Sequence, residues 1–326
     1  MSTQQTIKLN NGVQLGLGSW QSPPGQVEKA VEHALKSGYR HIDAALIYGN
    51  QDEVGQGISN SGVPRQDIFL VSKPLRVRFK LWNNSHRPEL VEKDLELTLK
   101  QLGTDYLDLW LIHWPVPFAP GEELSPLTFD KSQTVIDRQA PGVTETWKEV
   151  VRLYNGGKGK IRAIGVSNFT KRHMEMIVEA TGVVPAVCQI EAHPGLQQLE
   201  LEAYGKAQGI HFTAYSPLGN NITGHPRIVD SPQVKHIADE IQADPAQVLI
   251  AWILAKGFSV IPKSVTPSRI ESNFQEIELS KKHIEIINEL GRQNPVRYNT
   301  PFLYSPQWDI DVFGSREEKD ATVKVW

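Results

Sequence analysis

The sequence predicts an α/β protein folded as a (β/α)8 TIM barrel. Short apolar runs alternate with longer segments of helical period, the arrangement of repeated βα units around a parallel sheet. Eight such runs can be read, and no Pro/Gly/Ser-rich linker divides the 326 residues. Eight strands in one uninterrupted chain suit a closed barrel better than two separate units, so residues 1–326 are read as one domain.

The elements follow in order. Thr6 to Leu15 reads as a hairpin around an Asn11-Gly12 turn, placed ahead of the barrel where it would plug the bottom. Strands are expected at 15–18, 39–43, 68–72, 107–113, 161–166, 187–191, 211–215 and 259–262. Helices are expected between them at 27–36, 88–101, 144–154, 172–180, 200–208, 232–241 and 245–255. The last is announced by Asp244-Pro245-Ala246-Gln247, which supplies an N-cap, a first-turn proline and an N3 glutamine. From Gly291 onward the chain is rich in proline and aromatic residues and too irregular for another βα unit. Phe302, Tyr304, Trp308 and Phe313 favour a loop packed on the barrel over disorder.

Composition excludes several classes of partner. With 40% hydrophobic and 22% charged residues and a formal charge of -3, nothing points to nucleic acid or an acidic membrane surface. The single Cys188 can form no internal disulfide, and the polar start has no apolar run of signal-peptide type, so a cytoplasmic setting is expected. No long uncharged apolar stretch suggests a membrane span. A monomer acting on a small molecule is expected.

In a βα barrel the strand C-termini and the loops after them form the active face. Asp43 ends the second strand, Lys73 the third and His113 the fourth, with Tyr48 in the loop just past Asp43. Taken singly these are a helix cap, a loop lysine, a core histidine and a core tyrosine. Together they are an acid, a cation beside it, that cation's counter-charge and a neutral hydrogen-bond donor. A phenol with an ordinary pKa near ~10 needs such a cation to act as an acid at neutral pH.

These residues sit in motifs that span nearly the whole chain. They include Gly16-Leu17-Gly18-Ser19-Trp20, Tyr39 to Asp43 with Tyr48, Leu107 to Pro115, Gly165 to Phe169, Gln189-Ile190-Glu191 with His193-Pro194, Ala214 to Gly219, and Ile261 to Pro267. The chain thereby resembles the aldo-keto reductase superfamily. Its tail, Arg297 to Pro301 and Trp308 to Gly314, is similar to that of fungal members acting on glyceraldehyde, glycerol or other small aldehydes and polyols.

The resemblance implies an NADPH-dependent carbonyl reductase for small aldehydes, aldoses, sugar acids or ketones. Tyr48 would donate the proton, Lys73 would lower its pKa, Asp43 would hold Lys73, and His113 would orient the carbonyl oxygen. It further implies that Tyr215 stacks on the nicotinamide while Ser167, Asn168 and Gln189 hold its carboxamide. Ser216 and Leu218 would line the pyrophosphate path, with Trp20 beside the cofactor. Lys263, Ser264, Val265, Thr266 and Arg269 would surround the adenosine 2′-phosphate, close to a helix that starts near Thr266-Pro267, and Asn273 the adenine. The substrate pocket would be walled by Trp20, Trp82, Trp114, Phe118, Tyr304 and Trp308. No metal is implied.

Three departures stand out. The family lysine usually runs straight into Leu-Trp, whereas Pro74 to Lys80 separate Lys73 from Leu81-Trp82, so Lys80 is a second candidate cation. The strand at 68–72 favours Lys73, because Pro74 ends regular pairing. Cys188 replaces a common asparagine, and strand alternation points it away from Gln189. The segment Asn220 to Arg227 is short for a loop closing over a pyrophosphate, which predicts fast cofactor exchange. Polyol oxidation by the reverse reaction, or a low-turnover NADPH-binding regulatory subunit, are the alternatives.

Overall fold

Parallel strands need crossovers long enough to return the chain to the same edge, and helices here supply them. In the computed structural model, which describes residues 14–73, 86–120, 126–157 and 159–325, the chain runs through β1 (Leu17–Gly18), α1 (Val27–Lys36), β2 (His41–Asp43), α2 (Gln51–Ser61), β3 (Phe69–Ser72), α3 (Pro88–Leu102) and β4 (Leu109–Ile112). It continues through β5 (Gln133–Thr134), α4 (Val143–Gly156), β6 (Ile164–Ser167), α5 (Lys171–Thr181), β7 (Val187–Glu191), α6 (Leu199–Gln208) and β8 (His211–Tyr215). It ends with α7 (Pro232–Glu240), α8 (Pro245–Ala255), β9 (Ser259–Val260), α9 (Pro267–Phe274), α10 (Lys281–Gln293) and β10 (Gln307–Trp308).

Eight strands pair in parallel in the order β1-β2-β3-β4-β6-β7-β8-β9. Register is set by pairs such as Leu17 with Ile42, Val71 with Leu109, and Cys188 with Phe212. Single bridges from Leu15 to Val260 and from Gly18 to Lys263 join the last strand to the first and close the barrel. Most residues of the barrel strands are buried, as a sheet covered by helices requires. Cys188 is buried in the main core with its thiol 3.9 Å from the Phe169 carbonyl. The expected α8 start is present, the Asp244 side chain and Gln247 forming a capping box with Pro245 in the first turn.

The strands and seven helices expected from sequence recur with small shifts of their ends, α9 starts at Pro267 beside the expected phosphate residues, and α2 and α10 are additional. In α2 the glycines that weaken the helical signal are packing devices. A Cβ on Gly57 would lie 2.5 Å from the Glu28 carbonyl oxygen of α1, and one on Gly55 would lie 2.7 Å from that of Leu102. Helix α10 extends to Gln293, past Gly291, where a Cβ would collide with the Pro194 backbone after β7. The N-terminal hairpin, apart from its last residues, and the Pro74 to Lys80 insertion lie outside the described residues.

The tail folds against the barrel as expected. β10 pairs in parallel with β5, a two-residue strand in the long β4–α4 connection. Around this pair a second core forms from Leu46, Trp114, Val116, Phe118, Trp308, Ile310, Val312 and Val323. Among the described residues no helix is long and apolar enough to cross a membrane.

Burial holds several histidines neutral. Burial pushes His86, His173 and His211 down to about 4 from an ordinary 6.5. The unfolded chain binds these protons first, so stability is complete above about pH 6.5 and declines as pH falls through 6.5 towards 4. Thermal melts should show a progressive drop in Tm across that window; a flat Tm would contradict the assignment.

Candidate active site

The site is assembled where strand ends converge. Asp43 is the last residue of β2, Lys73 follows β3 directly, and His113 follows β4. Tyr48 ends a single 3-10 turn, Leu46–Tyr48, that Gly49 stops in the left-handed region at φ 67°. The Lys73 carbonyl accepts from the Leu46 amide at 3.3 Å, so the lysine's backbone steadies the turn that carries Tyr48.

Below the turn lies a dry ion pair. Lys73 Nζ donates to Asp43 Oδ1 at 2.6 Å and to the Ala44 carbonyl at 3.1 Å, with the lysine side chain 0% exposed. The other carboxylate oxygen accepts from Gln189 Nε2 at 2.8 Å across the barrel. Lys73 Nζ sits 5.7 Å from the Tyr48 ring centre, and the Tyr48 and His113 rings meet edge to face at 6.0 Å. Asp43, Tyr48, Lys73 and His113 are thus brought together.

Their protonation follows from burial. Burial pulls the Lys73 ammonium down while the charge and hydrogen bond of Asp43 oppose it. Burial, with Lys73 adding repulsion, drives His113 far below its ordinary value, so its imidazole is neutral. The expected acidified phenol is not found in this state. Burial, reinforced by Asp43, holds Tyr48 well above its ordinary value. Desolvation outweighs the nearby ammonium, because the carboxylate paired with that ammonium cancels much of its field.

A cavity of about 540 Å³ opens over these residues. Trp20, Asp43, Tyr48, His113, Trp114, Ser167, Asn168, Gln189, Tyr215, Ser216, Leu218, Lys263, Tyr304 and Trp308 all line it. At its base Asn168 Nδ2 donates to the His113 carbonyl at 2.9 Å, and the Tyr215 hydroxyl donates to Asn168 Oδ1 at 2.5 Å. Trp308 packs edge-on against Trp114 and Tyr304, each at 5.5 Å, making a continuous aromatic wall.

Other expected residues lie elsewhere. Phe118 is not in the wall; it is buried behind Trp308, edge-on at 4.7 Å, because the β5–β10 pairing folds it inward as core. Ser264, Val265, Thr266, Arg269 and Asn273 do not line the cavity. They follow Lys263 in the chain, with Thr266 at the N-cap of α9, Ser264 Oγ accepting from the Thr266 amide at 3.1 Å, and Asn273 buried. Trp82 lies outside the described residues.

The cavity also contains residues that the sequence reading passed over: Ile47, beside Tyr48, and Asn299 and Ser305-Pro306 in the tail. Ile47 could have been found from its place in the Tyr48 loop. Asn299 falls in the tail motif Arg297 to Pro301, but nothing local placed it at the cavity, and Ser305-Pro306 had no signal, since only folding of an irregular tail brings them here. Among the described residues no cluster of His, Cys, Asp or Glu is arranged to hold a metal ion.

Comparison with known proteins finds similarity over nearly the whole chain. The profile of the Aldo/keto reductase family matches residues 12–292. The chain is 48% identical over 335 aligned residues to the D/L-glyceraldehyde reductase of Hypocrea jecorina, covering 98% of both chains. It is 39% identical to the aldo-keto reductase family 1 member A1 of Homo sapiens, over 94% of this chain and 92% of that one. The structure of the aldose reductase from Schistosoma japonicum superposes with a TM-score of 0.80 at 38% identity, over 96% of this chain and 97% of that one.

Breaking the buried pair should be expensive. Asp43→Asn strands an ammonium away from water and should destabilise the protein by about 3–5 kcal/mol. Adding Lys73→Met to it should restore part of that loss. Equal melting of Asp43→Asn and the parent would show that the pair is not dry.

Proposed function

The chain belongs to the aldo/keto reductase family, and from that premise we propose that it is an NADPH-dependent oxidoreductase reversibly reducing the carbonyl of small aldehydes or ketones. Glyceraldehyde, named for the fungal relative, is the first candidate substrate. The observation that carries the reading is the Lys73–Asp43 pair buried beneath Tyr48 and His113 at the floor of an aromatic-walled cavity.

The donor set suits a dinucleotide. Ser167, Asn168 and Gln189 offer hydroxyl and amide groups at the cavity floor, matched to a carboxamide, and Tyr215 offers a ring face beside them. Ser216, Leu218 and Lys263 line the same cavity. After Lys263 in the chain, the start of α9 carries Arg269, a combination suited to a phosphate. When bound, the nicotinamide supplies hydride to the carbonyl carbon.

The remaining chemistry falls to the protein. His113, held neutral, donates a hydrogen bond to the carbonyl oxygen and fixes its position. Tyr48, held protonated, gives its proton to that oxygen as negative charge develops there. The resulting phenolate would be costly in so dry a place without a cation, and Lys73 provides one. Lys73 therefore acts by stabilising the phenolate as it forms, with Asp43 keeping the ammonium in place. Trp20, Trp114, Tyr304 and Trp308 exclude water and accept the rest of a small substrate.

NADPH consumption over a panel of small aldehydes tests the reading. Turnover should appear with short aldehydes, and Tyr48→Phe should lower kcat by about 10²–10⁴-fold while NADPH still binds. Lys73→Met should be similarly impaired and Lys80→Met should not; the reverse would transfer the role to Lys80. Lys263→Ala should raise the Kd for NADPH about tenfold and leave that for NADH nearly unchanged, in keeping with loss of one charge-assisted phosphate contact. Equal effects on both cofactors would remove Lys263 from the 2′-phosphate site.

A further inference from the structure

Glu191, the last residue of β7, is a buried carboxylate with its hydrogen bonds directed at the tail. Oε1 accepts from the Tyr298 amide at 2.7 Å and from the His193 ring at 2.8 Å. Oε2 accepts from both the amide and the side-chain nitrogen of Asn299, each at 2.9 Å. Such a charge is retained inside a protein only when its lone pairs are matched in this way.

The two residues hung on Glu191 reach in turn to the loop after β8. Tyr298 is fully buried, and its hydroxyl donates to the Pro226 carbonyl at 2.7 Å. The same phenol sits against Gly219, where a Cβ would fall 2.9 Å from its oxygen. Asn299 Oδ1 accepts from Asn220 Nδ2 at 3.4 Å. Tyr298 thus touches both ends of the segment 219–226. Inside it the hydrogen bonds are local, from the Ile222 amide to Asn220 Oδ1 and from the Gly224 amide to the Asn221 carbonyl. Beyond neighbouring residues of the same loop, its hydrogen bonds run to Tyr298 and Asn299 among the described residues. The first part of this segment, Gly219 to Ile222, lines the cavity.

We infer that Tyr298 and Asn299, fixed by Glu191, are positioning residues that govern how readily the segment 219–226 opens and therefore how long the dinucleotide stays bound. This rests on the reading of the cavity as a dinucleotide site. Tyr298 does not line the cavity and acts only through the segment. Were it simple core packing, phenylalanine would serve as well, so the hydroxyl on Pro226 is the diagnostic atom.

The test is stopped-flow release of NADPH from the full-length protein, chased with excess NADP+ and followed by nicotinamide fluorescence. Tyr298→Phe removes one hydrogen bond and should speed release about fivefold. The KM for NADPH should rise while the KM for aldehyde stays within about twofold, a split that general loosening of the fold would not produce. Glu191→Gln, which keeps shape but loses charge, should also release faster. Release from Tyr298→Phe within about twofold of the parent overturns the inference. Failure of the parent to bind NADPH at all would instead overturn the dinucleotide reading, so the two failures are distinguishable.

Discussion

A lysine ammonium sealed against a carboxylate is the constraint on which the rest of this site depends. Neither charge could stay in so dry a place alone, so each of Asp43 and Lys73 requires the other. Their contacts extend beyond the pair. Asp43 also takes the Gln189 amide, and Lys73 takes the Ala44 carbonyl, so the ends of β2 and β3 and the middle of β7 are tied at one point inside the barrel. Tyr48 and His113 are set around that knot by a short turn and by the exit of β4. The proposed proton donor is therefore placed by the same contacts that would stabilise its conjugate base.

The second organising contact is between barrel and tail. A parallel strand has no neighbouring hairpin to help form a pocket wall, so a barrel depends on its connections for specificity. Here the β4–α4 connection and the tail share a two-stranded pairing and an apolar core. Trp114 from the first and Tyr304 and Trp308 from the second then face the cavity as one wall. Glu191 does polar work of the same kind nearer the loop after β8. Burial alone would raise its carboxyl, but the His193 hydrogen bond and charge, with Arg297 nearby, hold it below the usual range.

The barrel was legible because its signals are local and repeated. Strands such as Val187–Glu191 and His211–Tyr215 are short apolar runs whose ends match the structure, and α8 carries its own start signal. Helix α2 was hidden because Gly55 and Gly57 read as helix breakers, while in the fold they let neighbouring backbones approach. Asp43, Lys73 and His113 could be found because a barrel sends strand ends to one face. Phe118 could not be told from a wall residue, since the β5–β10 pairing that turns it inward joins positions far apart in sequence. The state of Tyr48 was also beyond the sequence, because it turns on how fully the phenol is desolvated. Tyr298 and Asn299 stand in a recognisable tail motif, but their contacts were out of reach for the reason that hid the tail's architecture: no periodic pattern places them.

Chemical rescue probes the knot most directly. Lys73→Ala should reduce NADPH-dependent aldehyde reduction severely and leave a hole beside Asp43 the size of a small amine. Added methylammonium or ethylammonium should then restore turnover in a saturable way, and should fail to do so when Asp43 is also replaced by asparagine. Full activity of Lys73→Ala without added amine would contradict the claim that an ammonium held by Asp43 supports proton transfer from Tyr48.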